Sequence, residues 1–248
     1  MTRVEKIGAA TLYLADCRDV LPLVSGADLL CSDPPYRLTA GGKYTGEMGG
    51  VFAVDVYDND GGIVDCDLEF ADWMPLTFAA LATDADAYVM VNDKNQNAAQ
   101  NAMLDAGFKF HNLLVWDKGA ATPNRWYMKN LEFTVYSWKG KARGINDKGA
   151  KQLIRCPQVD VSQHPTEKPV SLMTHYITNS TSPGDTVLDP FMGSGTTGVA
   201  ALKSGRKFIG IESSEKWFDV ACQRIRDALD SPDLFCADNG KFDETGLG

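Results

Sequence analysis

The stretch GDTVLDPFMGSGTTGVAALKSGRKFIGIE, residues 184–212, holds two short apolar runs, DTVLDP (185–190) and KFIGIE (207–212), on either side of a helical pattern around 195–204. Gly205 sits where a helix stop belongs. Two strands joined through a helix must run parallel, because the chain returns to its starting edge before pairing. Gly193, Ser194 and Gly195 fall between the first strand and the helix, where glycines permit a tight turn and let a ligand approach the backbone at a helix N-terminus. The G-K-[ST] ending of a phosphate-binding P-loop is missing. The G-x-G-x-x-G spacing is present at 193, 195 and 198, and alone it is unspecific. Glu212, 17 positions after Gly195 at the end of the second strand, gives it weight: an acid there hydrogen-bonds a ribose diol in doubly wound nucleotide folds.

The same alternation continues outward. Strands are predicted at 10–16, 28–33, 87–92, 110–118 and 131–139, and helices around 69–82, 94–106, 167–180 and 214–229. The fold class is α/β, a mostly parallel sheet with helices on both faces. Strands 110–118 and 131–139 have no helix between them and are expected to form an antiparallel hairpin at one edge. Arg37 to Asp67 has no period and carries three Gly-Gly pairs, which reads as a mobile flap beside Asp33. Residues 1–230 are expected to form one domain, followed by a loosely attached tail, 231–248.

Composition narrows the function classes. The 248 residues are 44% hydrophobic and 23% charged, as in a globular protein. No apolar run approaches the ~20 residues that span a bilayer, and the first residues lack a signal peptide's apolar core, so a cytoplasmic protein without a membrane partner is expected. Six scattered cysteines and three histidines have no zinc-like spacing, so reduced thiols and no structural metal are expected. The net charge of −9 argues against a simple nucleic-acid coat, yet nine basic residues stand against Glu132 and Asp147 between Lys118 and Arg155.

A second stretch, CSDPPYRL (31–38), follows the apolar run ADLL directly. Tandem prolines fix φ and remove two donors, leaving carbonyls free to accept and aiming Asp33 and Tyr36 from the carboxyl edge, where open α/β folds bind ligands. Two acceptors and a ring suit an amino group on a flat heterocycle.

DPPY (33–36), DPFMGSGTT (189–197) and HPTEKP (164–169), in this order, resemble the beta group of DNA amino-methyltransferases, over roughly Thr11 to Arg226. The resemblance implies a circularly permuted Rossmann-like fold that uses S-adenosyl-L-methionine. It implies Asp33, Pro34, Pro35 and Tyr36 as the catalytic tetrapeptide. Phe191, Gly193 and Gly195 would shape the methionine end of the cofactor pocket, Asp189, Ser194 and Thr196 would also belong to the cofactor site, and Glu212 would hold the ribose. Asp16 and Cys17 would lie near the adenine, and Thr166 and Lys168 would close over the methionine carboxylate. His164 is given a structural role in preference to that of a general base.

Asp33 and the Pro34 carbonyl would then orient an adenine N6 amine, which is the target DPPY implies ahead of cytosine N4. No covalent intermediate is needed, and Cys156 in RCPQ precedes its proline, the reverse of the cytosine-C5 order. A catalytically silent DNA-binding module with this fold is the reading from another class. DNA is the expected partner, with the base flipped out and Tyr36 stacked on it. Lys139, Lys141, Arg143, Lys148 and Lys151 would meet phosphates from a short target-recognition insert, 139–163. So short an insert implies relaxed specificity or help from a second subunit, as in a homodimer.

Overall fold

A computed structural model describes residues 3–35, 68–122, 127, 129–156 and 168–230. The predicted flap, the tail and residues 157–163 of the insert lie outside these residues. The strands are β1 (Arg3–Ile7), β2 (Ala10–Leu14), β3 (Ala27–Ser32), β4 (Leu81–Val91), β5 (Lys109–Thr122), β6 (Lys129–Lys139), β7 (Leu153–Arg155), β8 (Thr186–Asp189) and β9 (Lys207–Glu212). The helices are α1 (Cys17–Val20), α2 (Phe70–Ala80), α3 (Gln96–Ala106), α4 (Val170–Ser180), α5 (Thr196–Lys203) and α6 (Glu215–Asp230). All the strands join one sheet in the order β1-β2-β9-β8-β3-β4-β6-β5-β7.

From β2 to β4 the sheet is parallel. Its strands are buried on both faces, and alternate residues feed two cores. In β3, Leu29 and Cys31 pack with helices α4, α5 and α6, while Leu30 on the opposite face packs with α1, α2 and α3. The chain leaves β8 toward β9 through α5 and leaves β3 in the opposite direction toward β4 through α2. The strand order therefore reverses between β8 and β3, and a crevice opens above their carboxyl ends.

Three short elements escaped the sequence pattern. β1 and β7 are too short to show a period, and α1 is a single turn. The β5–β6 hairpin is antiparallel as expected, but it does not end the sheet, because β7 pairs parallel outside β5. The strand predicted at 87–92 begins at Leu81, immediately after α2. Its polar start, TDAD, hides the pairing of Ala85 with Lys139.

Candidate active site

The turn after β8 is held by hydrogen bonds to backbone and to α6. Asp189 is 2% exposed and its Oδ1 accepts from Ser32 Oγ at 2.6 Å, across the crevice, and from Phe191 N at 3.1 Å. Burial pushes its carboxyl up to about 6, against the pull of these donors. Gly193 takes φ 50° and Gly195 φ 84°, a region that L side chains avoid. A Cβ on Gly195 would stand 2.9 Å from the Ala221 Cβ of α6, whereas one on Gly193 would meet nothing within 4 Å. One glycine thus seats the turn on α6 and the other faces open space. Phe191 packs edge-on against Trp73, with ring centroids 4.8 Å apart.

Glu212 Oε2 accepts from Gly193 N at 3.0 Å and its Oε1 from Ser214 N at 2.8 Å. Burial raises its pKa and the backbone donors oppose the rise. Beside it, the carboxyl end of β2 runs into α1, where Asp16 accepts from Arg18 N at 2.8 Å and pairs with the Arg18 guanidinium at 2.6 Å. Arg18 holds Asp16 below the usual carboxylate range. Burial drives the Cys17 thiol up to about 12, so it stays protonated. Ser194 and Thr196 face α6, where Arg224 donates to Ser194 Oγ at 2.7 Å and Thr196 Oγ1 at 3.2 Å. They brace the turn through that guanidinium.

Asp33 stands across the crevice. It follows β3 directly and keeps 23% of its side chain open; Pro34 is buried and Pro35 exposed. Lys168 Nζ, at the entrance to α4, lies 2.6 Å from Asp33 Oδ2 and 3.2 Å from Glu132 Oε2. Lys118 Nζ lies 3.2 Å from Glu132 Oε1. The four groups alternate in charge along one path. Burial raises the Asp33 pKa, with Lys168 pulling it back and Glu132 adding to the rise. Glu132 also suffers burial, but Lys168 and Lys118 outweigh it and hold Glu132 below the ordinary range. Lys168 is thus shared by a carboxylate that its surroundings raise, Asp33, and one that they lower, Glu132.

Asp16, Cys17, Asp33, Pro34, Lys168, Asp189, Phe191, Gly193 and Glu212 thus share the carboxyl edge of the sheet. Tyr36, His164 and Thr166 lie outside the described residues. Glu132 and Lys118 enter the site unforeseen. The signal for Glu132 was an acid inside the apolar strand LEFTVYSWK, opposite Trp116.

Lys139 and Arg143 sit elsewhere. β6 runs antiparallel to β4, so Lys139 lies seven residues from Glu132, ~23 Å at strand rise, at the amino edge. Its Nζ donates to Phe78 O at 2.7 Å and Leu81 O at 2.8 Å, closing the end of α2. Lys141 follows there, its backbone N bonded to Asp84 Oδ1, and Arg143 donates to Asp28 O at 3.1 Å. Lys148 and Lys151 are exposed on a segment that Asn146 ties to α4 through Thr178 O and Thr181 O. At the carboxyl edge, the exposed cations include Lys129, 3.0 Å from Asp93, and Arg155, 3.7 Å from Asp117.

Among the described residues no helix is long and apolar enough to cross a membrane, and no cluster of three His, Cys, Asp or Glu side chains could hold a metal. The four described cysteines, Cys17, Cys31, Cys156 and Cys222, are free and buried.

Comparison with known proteins adds a family to this geometry. The sequence profile of the DNA methylase family N6_N4_Mtase matches residues 27–223. Type II methyltransferase M2.DpnII of Streptococcus pneumoniae is 31% identical over 220 residues, covering 80% of this chain and 82% of that protein. Type II methyltransferase M.HinfI of Haemophilus influenzae is 28% identical, covering 90% and 70%. Among solved structures, the M1.HpyAVI–SAM complex superposes with a TM-score of 0.67 at 25% identity, over 87% of this chain and 99% of the other. PvuII DNA methyltransferase (cytosine-N4-specific) shares the fold, with a TM-score of 0.67 at 18% identity over 92% and 95%.

Proposed function

This chain belongs to the DNA methylase family, and from that premise we propose that it methylates the exocyclic N6 amine of adenine in DNA, with Asp33 as the catalytic carboxylate and S-adenosyl-L-methionine as donor. The observation that carries the reading is the position of Asp33: it leaves β3 where the strand order reverses, partly open and paired with Lys168 at 2.6 Å.

The residues present fit the cofactor. Each Glu212 oxygen accepts one backbone N–H, and a carboxylate has about four lone-pair sites, so ribose hydroxyls can still donate to it. The open space before Gly193 lets a ligand reach the turn at the start of α5. Asp16 would lie beside the adenine, and the Phe191 ring would bound the methionine end. Ser194, Thr196 and Asp189 would act by fixing the turn. When bound, the cofactor supplies an electrophilic methyl on a sulfonium.

The rest falls to the chain. An adenine amine is a weak nucleophile because its lone pair is shared with the ring. Accepting its two N–H bonds at Asp33 and at the Pro34 carbonyl would localise that pair and aim it. As positive charge grows on nitrogen, the Asp33 carboxylate stabilises it and takes up the surplus proton. The buried setting makes Asp33 more basic than an ordinary aspartate, which suits that task. Tyr36 would stack on the flipped base at a gain of ~1–3 kcal/mol. Lys129 and Arg155 share the edge with Asp33, and their exposed ion pairs, worth about 1 kcal/mol or less, can be exchanged for phosphate. They are better placed for DNA than Lys139, Lys141 or Arg143.

The test is product identity. Purified protein, labelled S-adenosyl-L-methionine and unmethylated genomic DNA are incubated, the DNA is digested to nucleosides, and the product is identified by mass, with Asp33→Ala alongside. N6-methyladenine lost in the variant is the expected result. N4-methylcytosine would keep Asp33's role and overturn the target base, and no product would overturn the activity.

A further inference from the structure

We propose that Glu132 is a positioning residue for methyl transfer: it holds Lys168 as a counter-ion so that Asp33 can release the lysine and accept the target amine. The inference rests on Asp33 being the catalytic carboxylate. Glu132, Thr134 and Tyr136 alternate along β6 on the face covered by α4, and Lys118 extends from β5 on that same face. Lys168 reaches them from the residue before Pro169, the N-cap of α4. Among the described residues, the charged and titratable groups facing Glu132 are Lys168, Lys118, Asp33 and the Tyr176 hydroxyl, which itself lies 3.1 Å from Thr134 Oγ1, and Asp33 is also faced by Asp189 and Cys31.

Lys168 has 9% of its side chain exposed. An ammonium so enclosed cannot lose a carboxylate without a replacement, because an uncompensated buried charge is strongly unfavourable. An incoming amine that takes lone pairs of Asp33 competes with Lys168 for them. Glu132, already 3.2 Å from Nζ, lets the lysine shift its hydrogen bonds by a small rotation, with no charge exposed and no proton moved. Lys118 at the far end keeps Glu132 ionised for this exchange, since two ammonium groups flank its carboxylate. Take away the Glu132 charge and Lys168 is drawn more strongly to Asp33. Asp33 then becomes both less available and less basic, and the two effects act in one direction.

Single-turnover methyl transfer on DNA separates this role from a structural one. Glu132→Gln keeps the shape and removes the charge. It is expected to slow transfer about 10- to 100-fold, to leave cofactor affinity within about twofold, and to move the acid limb of the rate profile to lower pH, because Glu132 raises the Asp33 pKa. Glu132→Asp should recover part of the rate. In a Lys168→Met background the same Gln change should have little further effect, since the two residues act through one contact. A Glu132→Gln enzyme with wild-type rate and unchanged acid limb overturns the inference. So does a variant slowed equally with and without Lys168, which would mark Glu132 as structural. A wild-type enzyme with no DNA product overturns the function itself, and the inference with it.

Discussion

The two walls of the crevice are built differently. On the β8–β9 side, carboxylates are fixed by backbone amides and a neighbouring hydroxyl: Glu212 by Gly193 and Ser214, Asp189 by Phe191 and Ser32. On the β3–β6 side, Asp33, Lys168, Glu132 and Lys118 are linked to one another by ion pairs between side chains. Backbone donors cannot leave, so the first wall is a preformed seat. A lysine shared by two carboxylates can shift, so the second wall can change partners as a substrate arrives. The proposed roles, a cofactor seat on one wall and an exchanging base on the other, need these two kinds of wall.

Substitutions should separate the walls. The largest effect is expected at Asp33: Asp33→Ala should slow methyl transfer by about 10²- to 10⁴-fold, read in single-turnover assays. The wild-type rate should fall on acidification at a pH above the ordinary aspartate range. Burial raises the Asp33 pKa, and the proposed mechanism needs the ionised form.

Next comes the amino edge against the carboxyl edge. Lys129→Ala with Arg155→Ala should reduce the salt dependence of DNA binding by about one unit of slope for each lost phosphate contact. Lys139→Met should leave that slope unchanged and instead lower stability by about 1–2 kcal/mol, since Nζ serves two carbonyls at the end of α2. Denaturant melts and binding titrations at several salt concentrations check both.

Within the rigid wall the expected effects are on stability. Gly195→Ala forces a side chain into a left-handed turn against Ala221, a cost of about 1–3 kcal/mol and so several degrees in Tm. Asp189→Asn should act the other way at neutral pH. The folded carboxyl titrates near 6 against a usual 3.8, so the unfolded chain binds fewer protons between those values and the native protein loses stability as pH rises through them. An amide removes the buried charge while its oxygen still accepts from Ser32 and Phe191. The variant should gain about 1–2 kcal/mol above pH 6 and nothing below pH 4, measured by melts across that range.

The contrast between the walls also explains what the sequence made legible. Residues 184–212 carry strand, turn, helix and Glu212 within one βαβ unit, so local propensity and spacing reveal the proposed seat. DPPY announces Asp33 because prolines leave a mark on the chain. Glu132 has no such mark: it is one acid in an apolar strand, and only the antiparallel return of β6 beside β4 carries it to a lysine 36 residues further along. Lys139 misleads for the matching reason. Composition counts it with Lys118 and Lys129, whereas the strand direction puts it at the opposite edge. Charge along the chain says how many cations there are, and register says where they face.

The separation of the walls is tested most directly by equilibrium dialysis of labelled S-adenosyl-L-methionine against Asp33→Ala and Gly193→Val. Gly193 faces the open side of the turn at φ 50°, so valine there should weaken cofactor binding at least about tenfold, while Asp33→Ala should bind within about threefold of wild type. Equal losses in the two variants would contradict the account, because Asp33 would then belong to the cofactor seat and not to the exchanging wall.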